Sequence, residues 1–206
     1  MQKLITSIPG YRVYEYLLIL KPHEELRAQI LAIKKEFAAK YNAALAFHTK
    51  PHITLVNFLA YQMTQDRLLN RIGTIAMGVT PFKVELNGFG AFPSHTIYAN
   101  VTTKVPIQQM LRELKSATQL MTLNKENKPH FIEESHLTIC RKLKPWQFEK
   151  AWLEYSHRHF TGRFIADSMV LLKRPAGEKG YQPIMRFEFQ NLAVNTKQGN
   201  LFPLSF

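Results

Sequence analysis

Two hydrophobic periods alternate along this chain, one near two residues that marks strands and one near 3.6 that marks helices. Val13 to Leu20 reads as a strand, rich in aromatic and aliphatic residues and free of breakers. Pro22 opens a helix through Tyr41, with Leu26, Ile30, Ile33 and Phe37 at helical spacing and Lys34, Lys35 and Lys40 among the polar positions. Pro51 to Phe58 is strand-like, and Gln65 to Met77 is a helix with Leu68, Leu69, Ile72 and Ile75 on one face. Phe82 to Leu86 alternates as a half-buried strand does, and a turn around Gly88, Gly90 and Pro93 leads to a strand from Thr96 to Val101.

The order then recurs. Pro106 opens a helix carrying Ile107, Met110, Leu111, Leu114 and Met121, and a polar loop leads to a strand from Ser135 to Cys140. Pro145 to His159 is a helix bearing Phe148, Trp152 and Tyr155. Arg163 to Leu172 and Tyr181 to Phe189 are strands, separated by the turn-rich stretch from Pro175 to Gly180. Pro22 lies 84 residues before Pro106, and His52 lies 84 before His136. Matching element order at one offset implies an internal duplication, with approximate halves 1–103 and 104–206 and strands possibly exchanged between them.

Composition narrows the class. The 206 residues are 46% hydrophobic and 12% aromatic, enough for a sizeable core and against a disordered chain. The length suits one large domain over residues 1–206. A net charge of +12 points to polyanionic partners such as nucleic acid or phosphorylated ligands. Cys140 is the sole cysteine, which excludes an intramolecular disulfide and a CxxC site. Met1 to Tyr16 lacks the apolar stretch of a signal peptide, and no apolar run nears the ~20 residues needed to cross a bilayer. The expectation is a cytoplasmic protein with no membrane contact and no obligatory protein partner.

The equivalent strands carry one short pattern twice, His52-Ile53-Thr54-Leu55 and His136-Leu137-Thr138-Ile139. Alternate side chains share a face of a strand, so each histidine projects with its threonine while the apolar pair anchors the strand. Two facing imidazoles suit in-line displacement at a phosphodiester. One takes the proton of the attacking water and the other protonates the departing ribose oxygen. The threonine hydroxyls can hydrogen-bond the non-bridging oxygens, where charge builds. This chemistry needs no metal and no cofactor. His48 and His52 lie four apart, but Pro51 between them argues against a helical metal pair. His157 and His159 fall on different faces and are expected exposed.

Paired H-x-T motifs on strands of a duplicated chain of this length resemble the 2H phosphoesterase superfamily, in particular its 2′-5′ RNA ligase and cyclic phosphodiesterase branch. The resemblance implies an α+β, bilobal fold: two mainly antiparallel sheets around a central cleft, with helices outside. It implies catalysis by His52, Thr54, His136 and Thr138 on a 2′,3′-cyclic phosphate or 2′-5′ linkage at an RNA or nucleotide end, with no metal. It also implies His52 as the general acid and His136 as the base. Arg141 resembles the arginine that often follows the second motif, although plain alternation turns it away from His136. Phe92, Tyr98 and Tyr181 are candidates for stacking a base. Cys140 shares parity with His136 but is expected as a buried small residue. Glu133 and Glu134 precede the second motif and put negative charge near a phosphate site, which Lys142 and Lys144 could offset. Rival readings are a phosphodiesterase for a small ester such as an ADP-ribose cyclic phosphate, and a non-catalytic RNA-binding module.

Overall fold

The computed structural model describes residues 11–47 and 49–192. The first elements of the described residues are strand β1, Val13–Leu20, and helix α1, Glu24–Lys40. Pro22 lies just outside the helix. His23 is the N-cap, its Nδ1 accepting the Leu26 N–H at 3.1 Å. Strand β2, Ile53–Tyr61, and helix α2, Gln65–Gly78, follow, then strands β3, Phe82–Phe92, and β4, Thr96–Val101. Strand β3 runs well beyond the alternating segment. Gly88, at φ 64°, lets the backbone pass through a register shift between Leu86 and Phe89 without ending the strand.

The helix after Pro106 is broken in two, α3 at Val105–Lys115 and α4 at Thr118–Met121. The Ser116 and Thr118 hydroxyls donate to the Glu113 and Lys115 carbonyls, each at 2.6 Å, and compete with the helical ladder there. The polar loop contains a short strand β5, His130–Phe131, before β6, His136–Cys140. Helix α5 spans Pro145–Tyr155 and stops short of His157 and His159, which are both exposed. The remaining strands are β7, Thr161–Ala166, β8, Ser168–Pro175, and β9, Gln182–Glu188.

The secondary structure is α+β with antiparallel pairing, as expected, but the strands form one sheet and not two. Among the described residues its nine strands run β7-β3-β4-β6-β2-β1-β8-β9, with β5 added beside β2. The centre of the sheet is a single pair, Ile53 opposite Leu137, both 0% exposed. These two residues are themselves 84 apart in sequence. The segment read as one strand from Arg163 to Leu172 is two strands on opposite sides of that centre, β7 on β3 and β8 on β1. The chain leaves one side of the sheet and joins the other at Asp167, whose carbonyl accepts the Phe189 N–H at 2.8 Å.

The helices pack on one face of the sheet. Tyr16, Leu18 and Leu20 of β1 join Leu26, Ile30 and Phe37 of α1 and Leu68 and Ile72 of α2 in the main core. Truncating such a residue to alanine costs about 2–5 kcal/mol. Gln147 of α5 is buried and ties that helix to the end of α1, donating to the Tyr41 and Asn42 carbonyls at 3.0 and 2.8 Å. No helix among the described residues is long and apolar enough to cross a membrane.

Candidate active site

The two motif strands are neighbours at the centre of the sheet. Ile53 and Leu137 bury their side chains on the helix side, while His52, Thr54, His136 and Thr138 are half-buried on the opposite face. The structure therefore brings the four residues together around one bridge pair. Charge on His136 is felt at His52.

Each motif is followed at once by a β-bulge. Leu18 pairs with Val56 and Ile19 with Thr54, leaving Leu55 as the extra residue. Ile97 pairs with Cys140 and Tyr98 with Thr138, leaving Ile139 as the extra residue. A bulge turns two successive side chains to one side. Accordingly Leu55 and Val56 are both 0% exposed, as is Ile139, with Cys140 at 2%. The Leu55 carbonyl accepts the Ile132 N–H at 2.9 Å, just past β5, so the irregular backbone is satisfied. The second bulge buries Cys140, whose thiol is pushed up to about 11 mainly by that burial. It also reverses the alternation beyond, which brings Arg141 to the site: its charge acts on both His52 and Lys34.

The histidines are held in the same way. His52 Nδ1 lies 2.8 Å from the Lys50 carbonyl oxygen, and His136 Nδ1 lies 2.8 Å from that of Glu134. A carbonyl can only accept, so Nδ1 carries a proton in both rings and Nε2 is left free for chemistry. Sequence alternation placed the rings but gave no sign of these anchors, because the acceptor is the backbone two residues earlier. Burial holds the His52 imidazolium below the usual histidine range, helped by the charges of Lys34, Arg141 and His136 and opposed by the Lys50 carbonyl. The unfolded chain then takes up a proton near pH 6.5 before the folded one does. His52 thus contributes full stability above pH 6.5 and loses it as pH falls through its lower folded value. The wild type is expected to lose more urea resistance than His52→Gln between pH 7 and pH 5. An equal loss in both proteins would remove this account of His52.

The wall beside His136 is aromatic. Phe92 meets its ring edge-on at 5.0 Å between centroids, and Tyr98 lies at 5.0 Å and 49°. Tyr98 covers Gly90, where an added Cβ would fall 2.5 Å from the Tyr98 ring and 2.4 Å from Asn100 Oδ1. Gly90 is needed for this close approach. Beyond the aromatics is a 370 Å³ cavity lined by Asn100, Lys104, Glu133, Glu134 and Ser135, whose buried hydroxyl has no partner. The Glu133 carboxylate is 2.9 Å from Lys115 Nζ, and this hydrogen bond holds it below the usual carboxylate range.

Tyr181 lies on the other side, near Asn57 of β2, and its hydroxyl donates to Glu15 at 2.6 Å. Asn57 and Arg174 bond the same carboxylate, and Arg174 covers the Tyr181 ring at 4.3 Å. Burial opposes ionisation of Glu15, but these hydrogen bonds outweigh it and lower its pKa. Tyr181 is thus part of a hydrogen-bonded network with Glu15, Asn57 and Arg174. His48 lies outside the described residues. Among the described residues no three His, Cys, Asp or Glu side chains converge as metal ligands would.

One residue beside the motifs was misplaced by the sequence reading. Lys34 is not on the polar side of α1 but 0% exposed, in line with Leu26, Ile30 and Phe37. The signal was its position four residues after Ile30 and three before Phe37, on the buried stripe. Its ammonium donates to the Thr49 carbonyl and hydroxyl, each at 2.7 Å, and reaches the Thr138 carbonyl at 3.4 Å.

Paired histidine–threonine strands at the centre of one antiparallel sheet, backed by helices, are the arrangement of the 2H phosphoesterase superfamily. The chain belongs to the 2′-5′ RNA ligase superfamily, whose sequence profile matches residues 22–178. A comparison with curated proteins finds no match. Among solved structures, E. coli LigT in its apo form is similar at TM-score 0.62 and 15% identity, covering 86% of this chain and 98% of LigT. A crystal structure described as a phosphoesterase aligns at TM-score 0.62 and 14% identity, over 85% of this chain and 97% of its own. LigT complexed with 3′-AMP aligns at TM-score 0.57 and 16% identity, over 86% of this chain and 98% of its own. At these identities the likeness establishes the fold.

Proposed function

We propose that this protein is a metal-independent phosphoesterase that opens 2′,3′-cyclic phosphate ends, or cleaves 2′-5′ linkages, of RNA and nucleotides by two-histidine acid–base catalysis. The carrying observation is the matched anchoring of His52 Nδ1 on the Lys50 carbonyl and His136 Nδ1 on the Glu134 carbonyl, which leaves two free Nε2 atoms on one face. The 3′-AMP complex of LigT, a protein of the same fold, supports a nucleotide ligand. The duplicated chain acts as one domain, with the pairs β3–β4 and β8–β9 each contributed to the side of the sheet opposite the rest of its own half.

Water's oxygen attacks phosphorus while one imidazole takes its proton. The bond to a ribose oxygen breaks, and the other imidazole, protonated beforehand, supplies that oxygen with a proton. Thr54 and Thr138 bond the non-bridging oxygens, with Arg141 as a further cation, and Phe92 and Tyr98 form a surface for the adjoining nucleoside. Family resemblance implies His52 as the acid. We adopt that order, with His136 as the base. The +12 charge supports a polyanionic substrate, and we place the protein in the cytoplasm with no obligatory protein partner.

The test is a panel of cyclic-phosphate substrates assayed in a chelator. Turnover of a 2′,3′-cyclic-terminated oligonucleotide is expected to survive, with a KM that rises more steeply with salt than that of a cyclic mononucleotide. Activity lost in chelator and restored by zinc or manganese would overturn the mechanism. Turnover of an ADP-ribose cyclic phosphate alone would replace the substrate, and binding without turnover would leave an RNA-binding module.

A further inference from the structure

Lys34 is a fully buried cation beside a site read as phosphate-binding. All three of its contacts are to neutral oxygens: the Thr49 carbonyl, the Thr49 hydroxyl and the Thr138 carbonyl. No ion pair among the described residues involves it. Burying an ammonium without a counter-ion is costly. Burial lowers its pKa to about 8, with the Cys140 thiol on β6 opposing the shift and Arg141 adding to it.

Its position gives the charge a use. Among the described residues, 53 and 137 are the only bridge between the motif strands, so the ladder stops before His52 and Thr138 could pair. Lys34 is bonded where the ladder ends. It grips the Thr138 carbonyl on β6 and the backbone of Thr49, which is joined directly to Lys50, the residue that orients His52. The residue 84 positions later is Thr118, which has no charge and bonds the Lys115 carbonyl. The His136 half therefore has no such cation at the equivalent place.

We propose that Lys34 is a positioning residue of the phosphate site, clamping the second motif strand to the segment that orients His52 and holding a buried positive charge that the substrate's phosphate balances. This rests on the phosphoesterase reading, since the anion it awaits is the scissile group. Lys34 acts through Thr49 and Thr138 and through its field at His52, without entering proton transfer. The titratable and charged groups facing it are Cys140 and Arg141 at the end of β6 and His52 at the start of β2. Cys140, pushed up to about 11, stays neutral through the range of interest, and Arg141 stays charged.

Sulfate is a suitable probe because its charge does not change near neutrality. Its affinity for the wild type is expected to fall about tenfold between pH 7.5 and pH 9, as Lys34 loses its proton. Lys34→Met should bind sulfate weakly at every pH, and Lys34→Arg should stay tight through pH 9. In Lys34→Met the His52 ring, followed by NMR, should titrate at higher pH than in the wild type. A folded Lys34→Met with unchanged sulfate affinity and unchanged His52 titration would reduce Lys34 to packing and overturn the proposal. If Lys34→Met does not fold, Lys34→Arg decides with the wild type, and an identical sulfate profile in the two overturns the proposal. None of these readouts uses turnover. Lys34-dependent sulfate binding in a protein inert on every cyclic phosphate would count against the enzymatic reading and support the anion site.

Discussion

His52→Ala and His136→Ala are each expected to lower turnover of a cyclic phosphate ~10²–10⁴-fold, the usual range for a lost general acid or base. The double variant should lose less than the product of the two, because the imidazoles serve one proton transfer cycle. A substrate with a leaving group that needs little protonation separates the roles. With His52 as acid and His136 as base, it should restore His52→Ala and leave His136→Ala slow. Restoration of His136→Ala instead would exchange the roles. Full activity in either alanine variant would end the two-histidine mechanism. Stability offers a control: both rings are half-buried on the open face, away from the core packing of Ile53 and Leu137, so folding should survive.

Thr54→Val and Thr138→Val are expected to cost ~10²–10³ in turnover, the scale of one donor removed from a developing oxyanion. Valine keeps the branched shape that suits a strand, so the change removes a hydroxyl and little else. Serine at either position should recover most of the loss by restoring the donor. The readout is kcat and KM measured separately, since a hydroxyl that bonds ground state and transition state alike would raise KM and leave kcat intact. Unchanged kinetics in both valine variants would show that the threonines serve the strand and not the phosphate. Thr138 carries a second role through its backbone, whose carbonyl faces Lys34 and is untouched by these substitutions.

Much of this site was legible in the sequence because its signals are local. Alternation along a strand puts His52 with Thr54 and His136 with Thr138, and this follows from backbone geometry alone. The offset of 84 residues ties the two motifs to one element order, and Ile53 opposite Leu137 shows that the equivalent residues meet. The family followed from the same residues. Alternation failed for Cys140 and Arg141, because the bulge at Ile139 exists only through the mismatch between β6 and β4. It failed for Arg163 to Leu172 as well, because two successive strands with one apolar pattern can belong to different sides of a sheet.

The sequence by itself determined the type and order of the main helices and strands, which face of each motif strand is polar, and the chemistry that two histidines and two threonines can perform. These depend on neighbours a few residues apart, and side-chain periodicity records them. Only the tertiary structure decided the single sheet, the anchoring of both imidazoles, and the burial of Lys34 beneath the motifs. The sheet order and the burial of Lys34 are set by groups far apart in the chain, and the anchors by the backbone conformation two residues before each ring, which side-chain periodicity does not record. The Lys34 ammonium meets the Thr138 carbonyl across 104 residues, and its cost and its use both come from desolvation. A lysine's sequence neighbours carry its helical phase, but the water it loses is decided by what folds over it.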